Sequence, residues 1–416
     1  MFQKKMVSRG VRCISVLSVM GTPLVTHADV VDDSHLKLDM KNFYFHRNFT
    51  QDAAPVNEVH SWSQGFDLQY TSGYTDTPLA VGLDVNGQYA VRLDSSGNDG
   101  SLPFSVSEQQ TANDYSRAGA TAKMRYSKTE LKIGDHRPQL PVAYNDTSRQ
   151  LDTLYQGAVL ESREIDGLTL TGGRFWSNVT RESSNHEKLY KFGTRDSLDS
   201  RGLDFGGATY NLTRQLQATY FYGKLHDIYQ QHYFGLAHMA DLGNGYKLKS
   251  DLRYFNNNED GKALGGEVDN RSYGGLFTLL KGGHMFAVSY QRMLGESMFP
   301  TLNGFIPQPY LVNWSVLGFV RPGERSWSAR YGYDFAALGV PGLKVFTRYT
   351  KGTHWNRGGN LSDNAESERN INLSYVVQSG SLKGLGFEVR NNQVKQKFGS
   401  DYDEYRVATT YTWNFW

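Results

Sequence analysis

The stretch ERSWSARYGYDFAALGVPGLKVFTRYTKG, Glu324 to Gly352, decides the architecture. Its first half alternates Trp327, Ala329, Tyr331, Tyr333 and Phe335 with Ser328, Arg330, Gly332 and Asp334. Its second half alternates Leu343, Val345, Thr347 and Tyr349 with Lys344, Phe346 and Arg348. Side chains of a strand point to opposite faces in turn, so each half reads as a strand with one largely apolar wall and one charged wall. Between them AALGVPG supplies the Gly and Pro of a chain reversal. Such a hairpin suits a soluble sandwich with its charged face in water. It equally suits a transmembrane barrel with its apolar face in lipid and its charged face toward a wet lumen.

The rest of the chain selects the barrel. Residues 1–28 have the form of a secretory signal: Lys4, Lys5, Arg9 and Arg12 precede the apolar run CISVLSVMGTPLV, and Thr26-His27-Ala28 places cleavage before Asp29. That run falls short of the ~20 residues that span a bilayer as a helix. Cys13, the only cysteine, lies within the signal, so residues 29–416 form one barrel domain without disulfides or a cysteine metal site. The full chain carries +2; without the four basic residues of the signal it is mildly acidic, which argues against nucleic acid as a partner. Glycine (43 of 416) and aromatic residues (13%) are plentiful, and no later apolar run is long enough for a membrane helix. An exported chain of alternating segments that enters a membrane must close its sheet, because lipid leaves backbone groups no water to bond. The length allows roughly 16 to 18 antiparallel strands.

Alternation recurs along the chain. Val81, Leu83, Val85, Tyr89, Val91 and Leu93 oppose Asp84, Asn86, Gln88, Arg92 and Asp94. Long polar loops are expected at Ser95 to Asp114, Arg181 to Asp199, Asn256 to Arg271, Gly295 to Asn313, Gly352 to Glu368 and Asn391 to Asp403, all on the extracellular rim, with both termini periplasmic. In the final strand Tyr405, Val407, Thr409, Tyr411, Trp413 and Phe415 share a face, and Trp416 follows. That aromatic ending suits the membrane interface and recognition by the barrel-assembly machinery.

Several stretches make a resemblance specific. DYSRAGATAKMRYSKTELKIGDHRPQLPV (Asp114 to Val142), EIDGLTLTGGRF (Glu164 to Phe175), YGKLHDIYQQHYF (Tyr222 to Phe234) and the opening hairpin are similar to signature stretches of the OprD family, the outer-membrane carboxylate channels. KNFYFHR (Lys41 to Arg47) and YVVQSG (Tyr375 to Gly380) match its first strand and a late turn. The anchors run in family order over nearly all of residues 29–416. The resemblance implies a monomeric 18-stranded barrel in a Gram-negative outer membrane, narrowed by inward-folded loops, with a row of basic side chains that guides anions. It implies no cofactor or metal.

Strand parity supplies candidates for that row. Lys41, Arg330, Arg348, Arg390 and Arg406 all fall on inward positions, as do the acids Asp334 and Glu388. Arginine holds its charge and offers fixed donors, so successive arginines can exchange part of a carboxylate's hydration without trapping it. By resemblance, Gly134 to Gly157 is the loop that enters the pore, with Tyr144, Asp146, Arg149, Asp152 and Tyr155 as its lining groups; Gln150 to Leu154 depart from the family's proline-bearing continuation. Phe299 to Trp314 also departs, being richer in Pro and aromatics, which either favour aromatic acids or pack the loop. Phe43, Phe45 and Phe346, inward by parity, suit a compact apolar moiety beside a carboxylate. The function expected is therefore passive diffusion of small carboxylates: amino acids, aromatic or other organic acids, and antibiotics that carry the group. The alternatives are an oligosaccharide porin of related fold and a structural or adhesion barrel. An enzyme is not expected: the histidines are scattered, and no metal-binding His pair or nucleophile elbow occurs.

Overall fold

The computed structural model describes residues 28–50, 56–194, 198–303, 306–356 and 364–416. The expected signal lies outside these residues except for Ala28, which opens a short helix, α1 (Ala28–Asp32). Eighteen long strands follow. They are β1 (His35–Phe49), β2 (Glu58–Thr71), β3 (Leu79–Ser95), β4 (Asp114–Tyr126), β5 (Thr129–His136) and β6 (Leu154–Ser162); β7 (Leu168–Val179), β8 (Leu203–Asn211), β9 (Leu216–Leu225), β10 (Tyr229–Gly243), β11 (Tyr246–Glu259) and β12 (Asp269–Lys281); and β13 (His284–Leu294), β14 (Arg325–Asp334), β15 (Lys344–Trp355), β16 (Asn364–Val376), β17 (Gly386–Gln396) and β18 (Tyr402–Asn414). Each pairs antiparallel with its sequence neighbours, and β18 pairs with β1, so the sheet closes into a barrel and no edge is left for aggregation.

Closure turns the period of two into an inside and an outside. Val288 (59% exposed), Phe286, Leu373, Val389 and Trp413 point outward and form an apolar belt whose exposure is to lipid. The opening hairpin obeys the expected parity, with Arg330 opposite Arg348 on the lumenal side. Its reversal is a 3-10 turn (Phe335–Leu338) that Asp334 caps through a 3.0 Å bond from the Ala336 N–H, and Gly339 ends it in the left-handed region at φ 83°. The last strand ends as expected: Tyr405, Val407 and Trp413 face outward, and the Trp416 indole N–H donates to the Ser34 hydroxyl at 3.0 Å.

Two details differ from the sequence reading. A bulge opposite Trp62 and Ser63 places Asp94 across from the outward Trp62, so Asp94 leaves the lumenal face and meets His60 at 3.2 Å. The expected long loops all lie on one rim, but several strands continue past the expected loop starts. β11 continues to Glu259, β15 to Trp355 and β17 to Gln396, which shortens those loops, whereas the loop after β13 extends from 295 to 324. Ladder hydrogen bonds do not require apolar side chains, so the apolar alternation ends before the strands do.

An apolar core fills one side of the lumen, and a smaller cluster of Ala90, Leu102, Tyr115 and Leu151 lies on β3, β4 and the loops beside them. Inward aromatics of β6 to β11 pack together, with Phe175 against Phe205 at 4.8 Å and Tyr233 against Phe255 at 4.7 Å between ring centres. Apolar residues of two loops, among them Val142, Phe299, Leu302 and Leu311, complete this core inside the barrel.

Candidate functional site

Two loops shape the open side. The first, 137–153, leaves β5 and reaches the wall of β1, β2 and β18. Its entry is fixed by Arg137, which pairs with Asp67 at 2.6 Å and approaches Asp152 at 3.8 Å. Arg117 of β4 donates to the Asp152 carbonyl at 2.6 Å. At the far wall Lys41 donates to the Arg149 carbonyl, and Gln150 returns a bond to the Lys41 carbonyl at 3.0 Å. The Ser63 hydroxyl donates to Gln150 at 3.1 Å, and a Cβ at Gly65 would collide with that same side chain. The loop is thus bonded to the barrel wall at both ends.

The second loop, 295–324, is pinned by the arginines of the opening hairpin. Arg330 donates to the Val312 carbonyl and Arg348 to the Trp314 carbonyl at 3.1 Å. Glu368 accepts the Leu317 N–H at 2.8 Å. The two loops meet where Gln308 donates to the Pro141 carbonyl at 2.7 Å and the Tyr310 hydroxyl to the Gln139 carbonyl at 2.6 Å.

The five expected basic residues all face this region, on β14, β15, β17, β18 and β1; β16 between them contributes Asn370 and Asn372. They are not a row of free cations. Arg390 pairs with Glu388 at 2.7 Å, Arg406 with Glu404 at 2.7 Å, and Arg348 approaches Glu368 at 3.8 Å. Arg348 and Arg406 are each only 8% exposed. Lys41 and Arg330 have no carboxylate within 4 Å among the described residues and spend donors on loop carbonyls. The Arg390 side chain is 42% exposed. Beside Lys41 a cavity of about 230 Å³ is lined by Asp67, Gln88, Arg137 and Asp152, and a second of about 390 Å³ lies toward Asp84, Lys132 and Asp135.

The expected lining groups of the first loop separate. Tyr144 and Asp152 are half-buried. Tyr155 does not line the pore: it is fully buried in the aromatic core, its hydroxyl donating to the Tyr144 carbonyl at 3.2 Å. Asp146 is likewise 2% exposed and pairs with Arg181 at 2.6 Å, a brace between loops. Burial alone would raise its pKa, but Arg181 and the Ser148 donors hold it below the usual carboxylate value. Arg149 is buried over the ring of Phe45 at 4.7 Å, and desolvation, with Arg406 and Arg181 nearby, brings its pKa down to about 9. Burial pushes Asp152 up, against the pull of Arg137 and Lys41. Phe45 is enclosed by Arg47, Arg149 and Arg406, and Phe43 is buried; both are wall packing and not a surface for substrate. Phe299, Leu302 and Leu311 of the second loop also pack.

Arg47, Asp67, Arg117 and Arg137 were absent from the sequence candidates. Parity held the signal for Asp67, inward between outward Phe66 and Leu68. Arg181 sits in a loop without periodicity and carried none.

The chain matches the family model described as outer membrane porin, OprD family, over residues 28–415. It is 35% identical to the porin-like protein GalP of Pseudomonas putida over 387 residues, 92% of either chain. Among solved structures, OpdG of Pseudomonas aeruginosa superposes with a TM-score of 0.90 at 38% identity, covering 93% of this chain and 100% of that one. OpdK of the same organism, solved with vanillate, gives 0.88 at 34% identity with the same coverage.

Proposed function

This chain belongs to the OprD family of outer-membrane porins, and from that premise we propose that it admits small monocarboxylates, aromatic acids among them, along the wall of Lys41, Arg330, Arg348, Arg390 and Arg406. Channel membership sets aside the structural barrel. The observation that carries the reading is that these inward cations stand across the lumen from the aromatic core, with Lys41 at a cavity suited to one small acid. The carboxylate moves from Arg390 toward Lys41, each step exchanging water for a charged donor. Because the cations are already engaged by Glu388, Glu404 and loop carbonyls, they hold the anion weakly, which a passing solute requires. The vanillate bound in OpdK supports a carboxylate beside a compact ring as the substrate class. The test is liposome uptake with benzoate, arginine and a neutral sugar of similar size. Benzoate should enter fastest; equal rates for all three would leave only an unselective hole.

A further inference from the structure

The outer surface of the barrel carries charge of its own. Six consecutive strands each place one basic side chain outward near the loop rim: Arg271 (β12), Arg292 (β13), Arg325 (β14), Lys351 (β15), Arg369 (β16) and Lys395 (β17). Neighbours in this arc lie within two residues of each other in register. Arg292 stands directly opposite Arg325, a like-charge pair that costs stability unless an anion bridges it. The Arg292 Nε is buried without a hydrogen-bond partner. None of the six has a carboxylate within 4 Å among the described residues; Asp269 and Asp403 flank the arc without pairing to it.

On the other strands of this rim the outward Arg and Lys side chains have carboxylate partners. Arg174 meets Asp204 at 3.5 Å and Lys224 meets Asp260 at 3.0 Å. The unpaired arc is therefore confined to β12–β17. Beneath it lie outward Tyr273, Tyr290, Trp327 and Tyr349, with Trp327 and Tyr349 5.7 Å apart between ring centres. Such aromatics mark the membrane interface, where a basic side chain on the lipid face costs little. The arc thus sits at headgroup level in the leaflet on the long-loop side.

We propose that β12–β17 is a docking site for a phosphorylated glycolipid of the outer leaflet, with one phosphate shared by Arg292 and Arg325 and the acyl chains against the apolar belt below. Paired guanidinium forks match phosphate geometry. The belt directly beneath the cations favours a phosphate that carries acyl chains over a soluble anion.

The test uses the whole barrel in neutral detergent, with diphosphorylated lipid A titrated into the micelles and bound lipid counted by native mass spectrometry. The variant Arg292→Gln, Arg325→Gln, Lys351→Gln should bind at least about tenfold more weakly, since each base near an anionic surface is worth roughly a fivefold factor. Its single-channel conductance should stay at the wild-type value, because the arc faces lipid. The control Arg174→Gln, Lys224→Gln should bind as wild type. Phosphatidylcholine should not replace lipid A, and inorganic phosphate should not displace it. Wild-type affinity in the triple variant, an equal loss in the control, or displacement by inorganic phosphate would each overturn the assignment. If the triple variant does not insert, Arg325→Gln alone, at an exposed side chain, gives the same reading with a smaller expected loss.

Discussion

Replacing Arg390 by Gln tests how the lumenal wall works. The side chain is 42% exposed and its one ionic partner is Glu388 at 2.7 Å, so the substitution removes one unit of positive charge and unmasks one negative. A carboxylate passing at about 4 Å interacts with a unit charge by ~1 kcal/mol in water and ~4 kcal/mol at an effective dielectric of 20. Partial exposure favours the lower figure, or roughly a fivefold slower passage at low salt. Near 1 M salt, where the screening length falls to ~3 Å, the difference should shrink below about twofold. The assay is liposome uptake of benzoate and of a neutral sugar at both salt concentrations. Glu388→Gln, Arg390→Gln restores net neutrality and separates two mechanisms. If the guanidinium contacts substrate, the double variant remains slow; if only the summed field matters, it recovers. Recovery to the wild-type rate, or an equal fall in sugar uptake, would refute stepwise contact.

Replacing Arg348 by Gln should act differently: it frees the Trp314 carbonyl and leaves Glu368 buried, so conductance should rise and become noisy, with stability lower by ~1–3 kcal/mol in urea titrations. Asp146→Asn leaves Arg181 without its buried partner, at a cost of ~3–5 kcal/mol in the loop brace, and should raise single-channel conductance in barrels that retain heat-modifiable migration on gels. Glu324 has a pKa well above the carboxylate norm because of burial and then the nearby Glu366. The folded state therefore holds a proton that the unfolded chain releases, so loop stability is greatest in acid and falls as pH rises toward the folded pKa. Conductance noise from loop 295–324 should increase with pH in the wild type and stay flat in Glu324→Gln. For orientation, a cysteine at Asn98 should label on intact cells with an impermeant reagent, and one at Val340 in the opposite turn should not.

The barrel was legible in the sequence because a strand's side-chain period is set by covalent geometry. Once Trp327 and Val345 were known to face one way, Arg330 and Arg348 had to face the other, and the same parity placed Lys41, Arg390 and Arg406. What those residues touch could not be read that way. Arg47 meets Glu404 across 357 positions of chain, and Lys41 meets the Arg149 carbonyl across 108, because closure brings the last strand to the first and the loop to both. Loops have no period, so Asp146 and Tyr155 looked as able to line a pore as Asp152. Only packing decided that Tyr155 joins the aromatic core, that Asp146 braces Arg181, and that the cations of the wall are mostly held by carboxylates and loop carbonyls. Those contacts depend on which surfaces remain to be filled after the sheet has closed, a three-dimensional condition that no local pattern encodes.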